Sequence, residues 1–368
     1  MSAIFHIDQL PDRTVDHQGQ AYLFFSGTAY LGIPQHPAFH QLLTDSMRRY
    51  GTVFGSSRNG NVRLGVYEEA ESKLASRIGA EAALTLSSGM MAGQVVINWL
   101  QSQHYTFVYA PKAHPALWHS PTVTLPQLSF ADWADQLPDQ LNGLPPGPVA
   151  ILINSLDAVC SNYYDFSWLN TLPNNRPITL VVDDSHGLGV LNNGWGIWPA
   201  IPRIAGSNPA TIRVVGTGSL AKGMGLPGGV VFGNADAVKA IRQTAFFGAC
   251  SPIPPAYLDA FLRADALYAE GQERLQRNIK LAEECLLPTG LFHHAGGYPV
   301  FFTEHDPLYA QLLQKNILIY SFAYPTTADR ANTRVVISAF HETADIEQLA
   351  GAVSSYGLTL AKNQVSCQ

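Results

Sequence analysis

The sequence has few charged residues, few cysteines and no long apolar run. Charged residues make up 14% of its 368 positions and hydrophobic residues 46%, with a formal net charge of -6. This composition predicts a well-packed globular enzyme and argues against a disordered chain or a basic arm that binds nucleic acid. The negative net charge disfavours a polyanionic partner, whereas a local site for a small anion needs only a few donors.

The cysteines and the lengths of the apolar runs indicate the cellular compartment of the protein. No stretch reaches the roughly 18 continuous apolar residues of a membrane span, and the first residues lack a basic flank followed by an apolar run. We therefore expect a soluble, cytoplasmic protein that does not bind a membrane. The cysteines lie far apart, without CxxC pairs or His/Cys metal spacing, which predicts reduced thiols. They are Cys160, Cys250, Cys285 and Cys367.

Short apolar runs alternate with helical stretches from about residue 82. The runs span residues 82–87, 107–110, 149–153, 178–182, 213–217 and 230–232. Continuous apolar runs of this length are typical of strands buried on both faces of a sheet. The pattern predicts an α/β fold with a mostly parallel sheet flanked by helices.

The last part of the chain has a different pattern. A long helix is predicted over about 255–285, then strands over 298–302, 317–322 and 334–338 and a helix from about 343 with an acidic N-terminus. This order predicts a smaller α+β domain. Since the chain is roughly twice the usual domain length of about 150 residues, we expect one large and one small domain. The predicted limits are 46–285 for the large domain and 286–368 for the small one, with 1–45 packing on the small domain.

One lysine lies in a loop of small residues directly after a buried strand. The segment VVGTGSLAKGMGLPGG, residues 214–229, contains Lys222. Glycines let a bulky ligand approach the backbone, and desolvation lowers the pKa of a lysine enough to make its amine nucleophilic. A lysine in an ordinary turn is the alternative. The GxGxxG spacing of glycines 223, 225 and 228 is not a dinucleotide fingerprint, because GGVVFG after it predicts a strand where a helix is required.

A second predicted strand ends in acidic residues. The segment VVDDSHGLGV, residues 181–190, places Asp183, Asp184 and His186 at the carboxyl end of a parallel strand, where α/β folds bind ligands. An acid there can hold a protonated pyridine nitrogen and turn the ring into an electron sink. Two other interpretations are a helix N-cap for Asp184 and a metal site that uses Asp183 and His186.

A third segment, LSSGMMAGQVV at 86–96, is a strand that ends in Ser-Ser-Gly and is followed at once by a helix. Free amides at a helix start bind phosphate, and glycine lets the anion come close. Many strand–helix turns contain Ser-Gly, so this segment alone is weak evidence for a phosphate site. It supports such a site because it occurs together with the segments at 181–190 and 214–229.

Taken together, these segments resemble the α-oxoamine synthase family of pyridoxal-phosphate enzymes, which have the aspartate-aminotransferase fold. The resemblance covers most of the chain. It includes YLGIPQHP (30–37), YGTVFGSSR (50–58), SSGMMAGQ (87–94), VDDSHGLGV (182–190), GTGSLAKGMG (216–225) and PIPPAY (252–257). It implies a transferase with pyridoxal 5'-phosphate as its cofactor.

The resemblance implies a role for several matching residues. Lys222 would carry the cofactor as a Schiff base, Asp183 would hold the pyridine nitrogen, and His186 would contact the ring hydroxyl. His114 would stack on the ring, with a structural loop histidine as the alternative. Arg334 would bind the substrate carboxylate, with an ordinary salt-bridging arginine as the alternative.

The implied phosphate donors come from two subunits. Within the chain they are Ser88, Gly89, Met90 and Ser219. Ser251 matches a family position that reaches the phosphate of the neighbouring subunit, which implies a homodimer with its sites at the subunit interface.

The chain departs from the family pattern at four places. Gly27, Thr28 and Ala29 replace the usual Ser-Asn-Asp, so an amide on the substrate side is missing. Asn154 replaces a glutamate and is predicted to reach the cofactor, as an asparagine does in related aminotransferases. Ala158 replaces a serine that contacts the ring. The amino-terminal arm, which helps to bind acyl-CoA in the family, is short.

Three functions follow from these patterns. The first is a transferase that condenses an amino acid with an acyl thioester such as acyl-CoA. The second is an aminotransferase that uses the same residues, with Lys222 delivering a proton to the cofactor carbon. The third is a module that binds the cofactor without turnover, which the joint presence of Lys222, Asp183, His186 and His114 argues against.

Overall fold

The computed structural model describes residues 4–201, 212–323 and 331–365, with the backbone alone for 361–365. The chain divides into two compact units. The first comprises Met1–His36, Asp157–Asn162 and Ala266–Gln368, and the second comprises Pro37–Leu156 and Tyr163–Asp265. The domain limits given above stay a prediction.

Two other expectations bear on the chain as a whole. Cys367 lies outside the described residues, and the other three cysteines are free thiols. Within the described ranges, no helix is long and apolar enough to cross a membrane.

The second unit is built on a six-stranded sheet. Four neighbouring strands of the six are parallel to one another, and the strand Gly229–Gly233 runs antiparallel to both of its neighbours. Every residue of the strand Ile178–Asp183 is buried, as expected for a strand covered on both faces. The predicted mostly parallel sheet is confirmed. In hydrogen-bonded order the strands are Ala82–Leu86, Gly229–Gly233, Ile212–Ser219, Ile178–Asp183, Val149–Asn154 and Thr106–Tyr109.

Helices pack on this sheet. The helix Gly89–Gln101 buries Val95, Val96 and Leu100 in a core cluster that includes Leu84 and Val215 of the strands. Short 3-10 turns span Pro115–Leu117 and Ser167–Thr171. The described helices of this unit are Pro37–Tyr50, Gly65–Ile78, Gly89–Gln101, Phe130–Asn142, Ala235–Arg242, Ala245–Ala249 and Pro255–Leu262.

The helix predicted over 255–285 is in fact two helices, Pro255–Leu262 and Asp265–Leu286. The first ends at Leu262, and its C-cap Arg263 has a φ of -102° and a ψ of 0°, away from the ideal helical angles. Asp265 then lies in the first turn of the second helix, where a carboxylate is favourable. Its carboxylate lies 2.6 Å from Lys73 Nζ and 3.1 Å from Arg77 Nη2, so two cations face the start of the second helix.

The first unit has its own six-stranded sheet. Neighbouring strands are antiparallel except for Gln20–Phe25 and Ile317–Ala323, which are parallel. Its helices are Asp265–Leu286, Leu308–Leu313 and Thr343–Val365, with 3-10 turns at Ile33–Gln35 and Leu287–Thr289. Two further strands of the chain are only two residues long, Leu156–Asp157 and Asn162–Tyr163. The strands of the first sheet, in hydrogen-bonded order, are Thr14–His17, Gln20–Phe25, Ile317–Ala323, Ala331–Val336, Val300–Thr303 and His293–His294.

The parallel strands of the second unit end at the same level. Asn154 pairs in register with Asp183, and Asp183 pairs with Thr217. Since ligands of α/β sheets bind outside the carboxyl ends of the strands, this edge is the place to look for a functional site.

Candidate active site

Lys222 lies in a closed loop between the strands Ile212–Ser219 and Gly229–Gly233. The amide of Leu220 donates to Gly228 O at 2.9 Å, and the amide of Leu226 donates to Leu220 O at 2.9 Å. These bonds tie the loop to itself, so the lysine side chain projects from a defined backbone.

The lysine amine contacts a histidine. Lys222 Nζ lies 2.8 Å from His186 Nε2, and both side chains are half-buried. This is hydrogen-bonding distance between two groups that can both exchange protons. The structure thus brings together a lysine and a histidine that are 36 residues apart in the sequence.

Asp183 is the last residue of its strand and is only 7% exposed. Its Oδ1 accepts a hydrogen bond from the Ser185 amide at 3.0 Å, and its Oδ2 lies 3.8 Å from His114 Nδ1. In the described part of the chain, no lysine or arginine nitrogen lies within 4.0 Å of this carboxylate. A buried carboxylate without a cationic partner is costly. The carboxylate is therefore suited to a positively charged ligand atom such as a protonated pyridine nitrogen.

His114 is held in the neutral form. Its Nδ1 accepts a hydrogen bond from the Ala116 amide at 3.1 Å, so the ring proton lies on Nε2 and the 3.8 Å approach to Asp183 is not an ion pair. Burial lowers the pKa of His114; the charge of Asp183 raises it and that of Lys222 lowers it. A neutral aromatic ring beside a buried carboxylate can stack on a flat cofactor.

Asn154 bonds the backbone of the turn that carries His114. Its Nδ2 donates to Lys112 O at 2.8 Å, and its Oδ1 accepts from the His114 amide at 3.1 Å. The cofactor contact expected for Asn154 stays a prediction, and the contacts seen here are with protein backbone.

A possible anion site lies at the start of the helix Gly89–Gln101. Ser88 is its N-cap, and Ser88 Oγ accepts from the Met91 amide at 3.2 Å. The first amides of a helix have no intrahelical acceptor and can bind phosphate. A Cβ added at Gly89 would lie 2.7 Å from Ser219 Cβ, so only glycine allows the helix start to approach Ser219 this closely.

The remaining predicted phosphate donors have different surroundings. Met90 follows Gly89 in the first turn of the helix, with its side chain 49% exposed. Ser251 is also exposed. It directly follows Cys250, whose Sγ lies 3.4 Å from Ser87 Oγ, so the Ser251 segment runs beside the Ser-Ser-Gly turn.

Ser185 links the two loops of the site and was not singled out from the sequence. Its Oγ accepts from the Ser219 amide at 2.8 Å. The contact joins the strand end before Lys222 to the segment that carries His186. The available sequence signal was its place between Asp183 and His186, where a small hydroxyl side chain can bond a neighbouring backbone.

Asp184 is buried on the other side of the strand end. Its Oδ2 accepts from the Ile197 amide at 2.8 Å, and a Cβ at Gly187 or Gly196 would overlap its carboxyl oxygens. Burial, with a smaller effect from the charge of Asp183, raises the pKa of Asp184 to about 7, against the lowering effect of hydrogen bonds from Ser155 and Ile197. Asp184 therefore closes the loop from 184 to 197 and does not act as a helix N-cap.

Arg334 belongs to the first unit, in the middle of the strand Ala331–Val336. It is 6% exposed, its Nη1 donates to Ala158 O at 3.0 Å, and its guanidinium lies 4.1 Å from the centre of the Tyr320 ring. Its Nε is buried and has no hydrogen-bond partner among the described residues. These contacts differ from those of an arginine paired with a carboxylate.

The metal interpretation has no support in the geometry. In residues 4–201, 212–323 and 331–365, no three or more His, Cys, Asp or Glu side chains are grouped so that they could hold a metal ion.

Comparison with known proteins places these residues in context. The family model described as aminotransferase class I and II matches residues 32–353. An 8-amino-7-oxononanoate synthase of Herminiimonas arsenicoxydans is 26% identical, over 93% of this chain and 91% of the relative. One from Chromobacterium violaceum is 28% identical, over 90% and 88% of the two chains.

Solved structures share the fold. A serine palmitoyltransferase from S. paucimobilis with a bound PLP-myriocin aldimine matches with a TM-score of 0.79 and 16% identity, over 97% of this chain and 93% of the other. An 8-amino-7-oxononanoate synthase from Francisella tularensis matches with a TM-score of 0.68 and 21% identity, over 91% and 97%. These similarities confirm the predicted aspartate-aminotransferase fold.

Proposed function

The chain belongs to the class I and II aminotransferase family, and from this premise we propose that it is a pyridoxal-phosphate-dependent transferase that condenses an amino acid with an acyl thioester. Lys222 is the proposed point of cofactor attachment. The observation that carries the cofactor assignment is the meeting of four groups at one sheet edge. Lys222 contacts His186 at 2.8 Å, and Asp183, a buried carboxylate, faces the neutral ring of His114.

Each residue of this edge has a proposed task. Pyridoxal 5'-phosphate, when bound, supplies an electron sink for negative charge that develops at the α-carbon of the amino acid. Asp183 holds a proton on the ring nitrogen, and His114 covers one face of the ring. Lys222 moves a proton at its amine and exchanges it with His186 Nε2. The start of the helix Gly89–Gln101, with Ser88 and Ser219, binds the phosphate.

The acyl-transfer assignment is supported by the relatives. The alignments with two 8-amino-7-oxononanoate synthases cover 93% and 90% of the chain. Arg334 is proposed to bind the substrate carboxylate, since it is buried and its described contacts are a carbonyl and an aromatic ring. Arginine is suited to this task because its planar guanidinium can form two parallel bonds to a carboxylate.

A screen of substrates tests the reaction. Amino acids are added singly to the yellow protein, and the absorbance of the bound cofactor is followed, first alone, then with acyl-CoA, then with 2-oxo acids. We expect one amino acid to shift the absorbance and acyl-CoA to drive release of free CoA. A second absorbance change with 2-oxo acids but not with acyl-CoA would indicate an aminotransferase instead, which is the activity named in the family's description. Cofactor binding without a response to any substrate would indicate a module without turnover.

We also propose a cytoplasmic homodimer in which Ser251 reaches the partner subunit's phosphate. Ser57 Oγ donates to Gly248 O at 2.7 Å, so the loop from 51 to 64 runs beside the segment that leads to Ser251. Val53 and Val62 in this loop are exposed, as is Met90, and exposed apolar side chains are suited to a subunit interface. Free thiols at the three described cysteines are consistent with a reducing compartment.

Dilution tests the dimer. Because bound cofactor stabilises only the assembled state, subunit separation should release cofactor. Sedimentation at decreasing protein concentration, read at the cofactor absorbance, is expected to show a coloured dimer. A monomer that keeps its full colour would contradict both the dimer and the role of Ser251.

A further inference from the structure

The side chain of Asn154 spans one turn of backbone. Asn154 ends the strand Val149–Asn154 and is in register with Asp183 on the neighbouring strand. Its two amide atoms bond two backbone groups of one short segment, Lys112 O at 2.8 Å and the His114 amide at 3.1 Å. An amide has one donor end and one acceptor end at its tip, and here each end has a matching partner.

The segment that Asn154 spans is unusual in conformation. Lys112 has a φ of 58°, in the left-handed region that non-glycine residues adopt only when the surroundings hold them there. Proline precedes it at 111 and follows His114 at 115, so neither position offers a backbone N–H. Further hydrogen bonds of this stretch run from the Ala113 amide to Ala110 O at 3.3 Å, from the Leu117 amide to His114 O at 2.9 Å and from Trp118 Nε1 to Ala113 O at 3.0 Å.

The backbone of this turn fixes the place of the His114 ring. The ring Nδ1 accepts from the Ala116 amide and lies 3.8 Å from Asp183 Oδ2. A shift of the backbone at 112–114 would therefore move the ring relative to the carboxylate. The backbones of Asn154 and Asp183 are paired in the sheet. By bonding residues 112 and 114, Asn154 can therefore hold the His114 ring at a fixed distance from the Asp183 carboxylate.

We infer that Asn154 is a positioning residue, which holds the His114 ring over the cofactor through the backbone of residues 112–114 without contact to the cofactor itself. This inference rests on the proposed function for its cofactor. It assigns the chain's asparagine a different task from the cofactor contact predicted from the sequence. Aspartate would keep the acceptor for the His114 amide and lose the donor to Lys112 O, and alanine would lose both.

A double-mutant cycle with His114 tests the inference. The apparent dissociation constant of pyridoxal phosphate is measured for wild type, Asn154→Ala, His114→Ala and the double variant. Loss of a group that orients a ligand-binding side chain typically weakens affinity by about 10-fold. We expect Asn154→Ala to weaken binding by that factor when His114 is present and by less than about 2-fold when it is absent. An equal loss in both backgrounds would overturn the inference, because it would indicate direct contact between Asn154 and the cofactor.

A second readout uses the protein without cofactor, so that it does not depend on the proposed function. The pKa of the His114 ring is followed by NMR in wild type, Asn154→Asp, Asn154→Ala and the control Asn59→Ala. Asn59 is exposed and makes one bond to a backbone carbonyl, Arg242 O at 3.1 Å. We expect a pKa below the ordinary histidine value in wild type and in the control, and a rise towards the ordinary value in both Asn154 variants. An unchanged His114 titration in the Asn154 variants would overturn the inference, whereas failure to bind pyridoxal phosphate with a normal His114 response would overturn the proposed function alone.

Discussion

Asp183 and Asp184 are neighbours in the sequence with opposite surroundings. The Asp183 carboxylate lies beside the ring of His114 and takes one backbone amide, that of Ser185. The Asp184 carboxyl is enclosed by glycines 187 and 196 and takes the amide of Ile197. Successive residues at a strand end point to opposite faces, so one carboxylate faces the site and the other faces the loop behind it.

The two aspartates at this one strand end have different roles, one in ligand binding and one in the structure of the following loop. Asp183 is buried without a lysine or arginine partner among the described residues, which suits it to a cationic ligand. Asp184 has no space for a ligand, because a Cβ on either neighbouring glycine would already overlap its oxygens. Substitutions at the two positions should therefore affect different properties.

The largest effect is expected at Lys222, which belongs with Asp183 to the proposed ligand site and lies in the loop after the neighbouring strand Ile212–Ser219. Lys222→Ala should reduce turnover to background and remove the covalent link between cofactor and chain, since the amine beside His186 is lost. Activity and cofactor content after dialysis are the measurements. Lys239→Ala, on the exposed face of the helix Ala235–Arg242, is the control and should retain both. Retained activity in Lys222→Ala would remove the lysine from the site.

Asparagine substitutions test the two aspartates directly. Asp183→Asn should keep cofactor bound but lower turnover by several orders of magnitude, because a neutral amide does not hold the pyridine nitrogen protonated. Asp184→Asn should lower turnover by less than about 10-fold, since asparagine can still accept from the Ile197 amide. The measurement is the steady-state turnover rate of each variant at saturating substrate. Equal losses in the two variants would contradict the division of roles.

A methyl group added behind Asp184 tests the structural side. Gly187→Ala would place a Cβ against Asp184 Oδ1, and such overpacking should lower the free energy of unfolding by about 2 kcal/mol. Gly55→Ala is the matched control, because a Cβ there meets nothing within 4 Å. It should change stability by less than about 0.5 kcal/mol. The free energy of unfolding of both cofactor-free variants is measured with denaturant. Equal values for the two variants would show that the surroundings of Asp184 can accept an added methyl group.

The last effect concerns the dependence of stability on pH. Burial raises the pKa of Asp184 from 3.8 to about 7, so the stability that its neutral form contributes is complete below about pH 3.8 and is lost as pH rises through about 7. Asparagine does not ionise. Between pH 4 and 7 the free energy of unfolding of Asp184→Asn should therefore rise relative to wild type, by at most about 4 kcal/mol.

An exposed carboxyl provides the control for this measurement. Hydrogen bonds from Ser167 lower the pKa of Asp165, so its contribution to stability is lost as pH falls. Asp165→Asn should change stability slightly and with the opposite dependence on pH. A constant difference between Asp184→Asn and wild type across this range would contradict the raised pKa of Asp184.

The sequence was sufficient to predict the sheet of the second unit and the residues at its edge. Buried parallel strands are continuous apolar runs, so their ends could be located, and Asp183 and Lys222 follow such ends. The break at residues 263–264 was missed, because both flanking segments have helical patterns and the ion pairs found at the break join Asp265 to a helix distant in the sequence. Such distant pairs leave no local signal.

The contacts that organise the site were the hardest to predict. Ser185 bonds the Ser219 amide, and Asn154 bonds the turn at 112–114, each across more than 30 residues of sequence. A side chain that bonds a distant backbone has no periodic pattern, and its residue type alone is consistent with many partners. The enclosure of Asp184 by Gly187 and Gly196 was also not predictable, because it depends on how the loop from 184 to 197 folds back on itself.

Identifying the lysine that binds the cofactor covalently is the most direct test of the proposed active site. The yellow protein is treated with borohydride, digested, and searched by mass spectrometry for the lysine that carries the reduced pyridoxyl group. We expect the label on Lys222, in the loop between the strands Ile212–Ser219 and Gly229–Gly233. A label on Lys112 or Lys239 would contradict it.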